Sequence, residues 1–78
     1  MHEVDTKAIQ IAMINAGIES IEQLSEISGV NRATTADVVK GRSYPSSMVM
    51  EKLKVALNLT SEEAGKIFFK EKLTADVI

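Results

Sequence analysis

Gly29 and Gly41 stand twelve positions apart in the stretch LSEISGVNRATTADVVKGRSYP, residues 24–45, and fence off the segment between them. A glycine at the end of an apolar-periodic run closes a helix, because it enters the left-handed conformation without a Cβ penalty. Asn31 supplies the opening side chain, so the interval predicts a short helix over 32–40 that Gly41 terminates. Upstream, Ser20 with Gln23 three residues on reads as a capping box. It opens a helix that holds Leu24 and Ile27 on one face and stops at Gly29. Two short helices separated by Gly29 and Val30 have the spacing of a helix-turn-helix, with Ser25 as the small residue where they cross. Val30 and Val38 then point into the core.

The same punctuation continues on either side. Asp5 or Thr6 caps a first helix that runs to about Ala16 and ends at Gly17, with Ala8, Ile9, Ala12, Met13 and Ala16 on one face. Ser46, just after Pro45, caps a fourth helix through Leu57, with Val49, Leu53, Ala56 and Leu57 inward. Thr60 and Glu63 form another capping box before a fifth helix, whose inward residues are Ala64, Ile67 and Phe68. Adjacent Phe68 and Phe69 cannot both face one core, so one of them is a core residue and the other an interface or tail contact. No convincing strand is legible, although residues 73–78 are short and apolar enough to pair or pack. The expectation is an all-α fold, a compact five-helix bundle in a single domain over residues 1–78, with its core in 6–69 and an apolar tail in 70–78. An apolar fraction of 45% with one proline and four glycines agrees with that class and argues against disorder.

Composition narrows the chemistry. There is no cysteine, hence no disulfide framework and no zinc-thiolate site. The one histidine, His2, lies near a terminus without a serine or cysteine partner. Glu62 and Glu63 are helix neighbours that point apart, which suits acids near a helix N-terminus better than an acid/base pair. No glycine loop could cradle a phosphate. These features lead to the expectation of a non-enzyme without metal or cofactor. No apolar run approaches the roughly 18 residues of a membrane span, and residues 1–18 lack the pattern of a secretory signal. A cytoplasmic protein without membrane contact is the expected setting.

Net charge is −2, an unpromising sum for a polyanion binder, but its distribution is uneven. Residues 1–30 carry five acids and one base, whereas residues 31–54 carry Arg32, Lys40, Arg42, Lys52 and Lys54 against Asp37 and Glu51. The positive charge lies in the middle of the chain, where a local field attracts anions. A helix-turn-helix sets the first turn of its second helix nearest the base edges of the major groove. That logic exposes Arg32, Ala33, Thr34, Ala36 and Asp37, with Arg32, Ala33, Thr34 and Asp37 as the candidate base readers. Asn31, Lys40, Arg42, Ser43 and Tyr44 would meet the phosphate backbone. Plainer roles stand beside these: Arg32 as a solvated arginine, Asn31 as a cap and Lys40 as a charge favoured near a helix C-terminus.

The segments IEQLSEISGV, NRATTADVVKGRSYPS and EKLKVALNLTSEE, in this order and spacing, resemble the lambda-repressor-like (XRE or Cro-type) helix-turn-helix regulators of phages and their hosts. The resemblance covers residues 6–69, and EEAGKIFFKEKLT is similar to small phage members of that family. It implies a lambda-repressor-like bundle and a Cro-like repressor that binds a double-stranded DNA operator. The chain departs from the family pattern at Ile21, where a phosphate-gripping glutamine is common, and at Asp37, where a glutamine or basic residue is common. At Thr35 the family usually buries an isoleucine, and a threonine there can bury its methyl while its hydroxyl bonds back to the helix.

Two functions are therefore expected as alternatives. One is a sequence-specific DNA-binding regulator acting as a homodimer, since one unit reads only a short half-site. The other is an antirepressor or modulator that docks the same fold on another repressor protein, for which acidic residues of the second helix, Asp37, Ala33 and Ala36 are suited. Phe69, Leu73, Val77 and Ile78 are the candidate partner or dimer contacts.

Overall fold

Five side chains open five helices, each by accepting the backbone N–H three residues ahead. Asp5 accepts from Ala8 at 3.1 Å, Ser20 from Gln23 at 3.0 Å, Asn31 from Thr34 at 2.8 Å, Ser46 from Val49 at 3.3 Å and Thr60 from Glu63 at 3.1 Å. Each such cap stabilises its helix by about 1 kcal/mol. The computed structural model describes residues 2–71, in the order β1 (His2–Glu3), α1 (Thr6–Asn15), α2 (Ile21–Ser28), α3 (Arg32–Val39), α4 (Ser47–Ala56), α5 (Ser61–Phe68) and β2 (Lys70–Glu71). The described chain is thus compact and mostly helical.

Thr60 and Glu63 complete a reciprocal box, because the Glu63 carboxylate also accepts the Thr60 N–H at 2.8 Å. The box expected at Ser20 closes differently. The Gln23 side chain reaches one residue further back and accepts the Glu19 N–H at 2.9 Å. Gly17, Gly29 and Gly41 take the left-handed conformation, as does Asn58 after α4, a residue whose short polar side chain tolerates it.

Each helix contributes an apolar side chain with almost no exposure, Ile9, Leu24, Val38, Leu53 and Phe68, and α3 adds Thr35. Val4, Ile18, Val30 and Leu57 close the core from the connections. Burying a side chain of this kind stabilises by about 1.5–3 kcal/mol. Periodicity misplaces two residues. Ala16 is the C-cap of α1 and is exposed, while Ile27 is 54% exposed and Ile21, on the other flank of Leu24, packs against the core. Phe68 is the core member of its pair and Phe69 is 52% exposed, its ring meeting His2 edge-on at 5.5 Å between centroids.

A two-stranded antiparallel sheet departs from the expectation of helices alone. Its register pairs His2 with Glu71 and Glu3 with Lys70. A cross-strand ion pair accompanies it, Lys70 Nζ to Glu3 Oε2 at 3.8 Å, and His2 Nε2 lies 3.5 Å from Glu71 Oε2. These residues have little intrinsic strand preference, so the pairing depends on the fold bringing together segments from opposite ends of the chain. Leu73, Val77 and Ile78 lie outside the described residues.

Candidate nucleic-acid interface

The connection between α2 and α3 is Gly29, Val30 and Asn31, and side chains on both helices hold it. Ser25 Oγ donates to the Val30 carbonyl at 2.6 Å, and Ser28 Oγ accepts the Val30 N–H at 3.2 Å. Thr35 Oγ1 donates to the Asn31 carbonyl at 2.9 Å and lies 3.3 Å from the Val30 carbonyl. Val30 itself is buried. Small hydroxyl residues allow this close approach, and their bonds satisfy backbone groups that burial would otherwise orphan. The result is a fixed setting of α3 on α2.

Thr35, Val38 and Val39 turn inward from α3. Ala33, Asp37 and Lys40 follow one another at helical spacing on the opposite side, where Ala33 and Lys40 are exposed, while Asp37 and the edge residue Ala36 are half-buried and not fully exposed as expected. Arg32 is exposed in the first turn, and its Nη1 lies 4.0 Å from Glu22 Oε1 at the start of α2. At that distance and exposure the pair is worth under about 1 kcal/mol. Thr34 is half-buried and gives its backbone N–H to the Asn31 cap.

Beyond α3 the chain forms an exposed basic loop. Arg42 Nε donates to Asp37 Oδ1 at 2.9 Å, while the Asp37 carbonyl accepts the backbone N–H of Arg42 at 2.8 Å and of Ser43 at 3.4 Å. Lys40 is exposed with no ion-pair partner among the described residues. Tyr44 is anchored inward, its hydroxyl donating to the Phe68 carbonyl at the end of α5. Burial pushes the phenol above its ordinary value. Because that hydroxyl has one proton, it has none left to donate to an external anion.

The structure therefore gathers Lys40, Arg42 and Ser43 at one end of α3 and sets Arg32 at the other, with Ala33 and Asp37 between. Two contacts here go beyond the sequence expectations, Arg32 with Glu22 and Asp37 with Arg42. The second carries a local signal: a helix closed by glycine at 41 returns residue 42 over residue 37. Elsewhere, a groove of about 450 Å³ between α1 and α5 is lined mainly by apolar residues, including Ile11, Leu59 and Ile67. Glu62 meets Lys66 at 3.8 Å, and Glu63 meets Thr60. No group of three or more metal-ligating side chains forms among the described residues, and no described helix is long and apolar enough to cross a membrane.

No family model matches the chain, and comparison with the curated proteins and with the solved structures finds no significant match.

Proposed function

We propose that α2, its three-residue turn and α3 form a DNA-binding helix-turn-helix, and that the protein is a sequence-specific transcriptional regulator. The observation that carries this reading is the setting of α3. Its inner side is committed to the core by Thr35, Val38 and Val39, and its free side lies between Arg32 and the loop cations Lys40 and Arg42. A helix of eight residues is about 12 Å long. Its diameter with side chains, about 10–12 Å, is what a major groove about 12 Å wide admits.

In this reading Arg32 offers its fork to a guanine, Ala33 and Thr34 offer methyl groups to thymine, and Lys40, Arg42 and Ser43 hold phosphates. The positive middle of the chain supplies sequence-independent attraction despite the acidic total. Occupation of an operator by a homodimer, as in Cro-like repressors, is the mode of action that the sequence resemblance favours.

A second reading is favoured by one specific feature. Both arginines flanking α3 already face a carboxylate of their own chain, Glu22 and Asp37. A surface of mixed sign suits docking on another repressor protein as an antirepressor. Selection from randomised duplex DNA, followed by binding of the enriched duplexes across a salt series, separates the two. Enrichment of a two-fold-symmetric site with a steep salt dependence is the result expected for the DNA regulator. No enrichment and no binding at low salt, where phosphate attraction is strongest, would leave the protein-docking reading.

A further inference from the structure

Three of the described helices end in the same backbone motif, and in α3 alone both of its side-chain places are charged. After α1, Gly17 N–H bonds the Ile14 carbonyl at 3.0 Å and Ile18 N–H bonds that of Met13 at 2.9 Å. After α4, Asn58 bonds Val55 at 3.1 Å and Leu59 bonds Lys54 at 2.9 Å. After α3, Gly41 bonds Val38 at 3.1 Å and Arg42 bonds Asp37 at 2.8 Å. A hydrophobic contact commonly seals such an end, and the residues at those places in α1, Ile18 and Met13, are both buried. In α3 the same two places hold Arg42 and Asp37, joined by a side-chain bond of 2.9 Å on the exposed surface.

That bond takes Arg42 at Nε. A guanidinium has five donors in a fixed fork, so its two terminal nitrogens remain for an anion that approaches end-on with two oxygens. An unheld arginine stem must lose rotamer freedom before it can make those bonds. Arg42 has already lost part of that freedom, because it is held at its backbone N–H and at Nε. Arg32 has no equivalent support, since Glu22 is 4.0 Å away at a terminal nitrogen and both side chains are largely exposed.

We infer that Asp37 is a positioning residue which holds the Arg42 guanidinium ready for a phosphate of the DNA backbone. This rests on the DNA-binding reading above. Asp37 then acts through Arg42 and not on a base. Its own charge repels the same phosphate, so positioning and repulsion oppose one another, and the effect of substitution shows which wins.

The test uses the duplex selected by the unaltered protein. Asp37→Ala is expected to weaken binding about fivefold. Asp37→Asn keeps an oxygen that accepts from Nε–H and removes the charge, so it binds at least as tightly as the unaltered protein. In an Arg42→Ala background Asp37→Ala no longer weakens binding. All these variants keep the carbonyl of residue 37 and hence the backbone bonds that shape the loop. Tighter binding by both Asp37→Ala and Asp37→Asn would make Asp37 a repelling charge only and overturn the inference. An altered preference at one base pair, independent of Arg42, would make it a base reader and overturn it too. Additive effects of Asp37→Ala and Arg42→Ala overturn the positioning role alone, whereas absence of DNA binding by the unaltered protein overturns the parent reading with it. A second readout needs no DNA: nitrogen-15 spectra of the free protein are expected to show the Arg42 Nε–H slowed in solvent exchange, and faster in Asp37→Ala. Unchanged exchange in that variant would also overturn the inference.

Discussion

The buried hydroxyl of Thr35 donates to the carbonyl of Asn31 across 2.9 Å, one turn back along α3. The same hydroxyl lies 3.3 Å from the Val30 carbonyl, which Ser25 Oγ reaches from α2 at 2.6 Å. Thr35 is thus the only fully buried polar residue described, and it stands at the joint that sets α3 on α2.

Because Ser25 and Thr35 converge on Val30, their removal should be cooperative. Ser25→Ala and Thr35→Val are each expected to destabilise by about 1 kcal/mol. The Asn31 carbonyl keeps the backbone N–H of residue 35 at 2.9 Å in either case. The double variant should lose about 1 kcal/mol beyond the sum, since in Ser25→Ala alone the single Thr35 proton can turn from the Asn31 carbonyl to that of Val30, and in the double variant no hydroxyl remains to do so. Urea midpoints of the four proteins measure this, and strict additivity would show that the two hydroxyls do not share an acceptor.

Gly41 and Gly29 are both left-handed, but a Cβ on Gly41 would lie 2.9 Å from Thr6 Cγ2 whereas one on Gly29 would meet open space. Gly29→Ala should therefore destabilise by about 1–2 kcal/mol from backbone strain alone, and Gly41→Ala by more. Thr6→Ser removes the obstructing methyl. Thermal melts should show that it recovers the excess in Gly41→Ala and leaves Gly29→Ala unchanged.

Tyr44→Phe tests whether that hydroxyl serves the fold. Loss of the bond to the Phe68 carbonyl is expected to destabilise by about 1 kcal/mol, with affinity for a selected duplex unchanged. A large loss of affinity would assign the hydroxyl to phosphate after all. The phenol is raised above its ordinary value of 10.0 by burial. Its contribution to stability is present below that pH and lost as pH rises through the raised value, and Tyr44→Phe should abolish this part of the alkaline profile.

The Glu63 carboxyl is held below its ordinary value of 4.5, first by the Thr60 backbone N–H and then by the Thr60 side chain. A lowered carboxyl contributes stability that is present above the ordinary value and lost as pH falls through the lowered one. Glu63→Gln should remove this contribution at neutral pH and flatten the acid limb of stability in that window. Chemical denaturation at stepped pH reads this directly.

Arg32→Ala should reduce discrimination between the selected site and a site altered at one base pair by about 1–3 kcal/mol. Arg42→Ala should instead weaken all duplexes similarly and flatten the salt dependence. Anisotropy titrations on matched and mismatched duplexes distinguish the two, and equal behaviour of the two variants would contradict the division between base and phosphate contacts.

What was legible in the sequence is what depends on neighbours a few residues away. A cap needs an acceptor and an N–H three positions on, so Ser20, Asn31, Ser46 and Thr60 could be placed from the chain alone, whereas the first cap was narrowed to Asp5 or Thr6 and the fold selects Asp5. The left-handed ends at Gly17, Gly29 and Gly41 follow from the missing Cβ. The bond from the Thr35 hydroxyl back to its own helix is equally local.

Tertiary structure decided which flank of each helix is covered and which distant groups meet. Periodicity allows either neighbour of Leu24 to be buried, and the position of the surrounding helices selects Ile21 over Ile27. Two-residue strands at opposite ends of the chain pair because the helices between them bring those ends together, an outcome that intrinsic preference cannot encode. The inward anchoring of Tyr44 on Phe68 spans 24 residues. A chain specifies its local hydrogen bonds through short covalent reach, whereas burial and long-range pairing depend on how whole elements exclude water together.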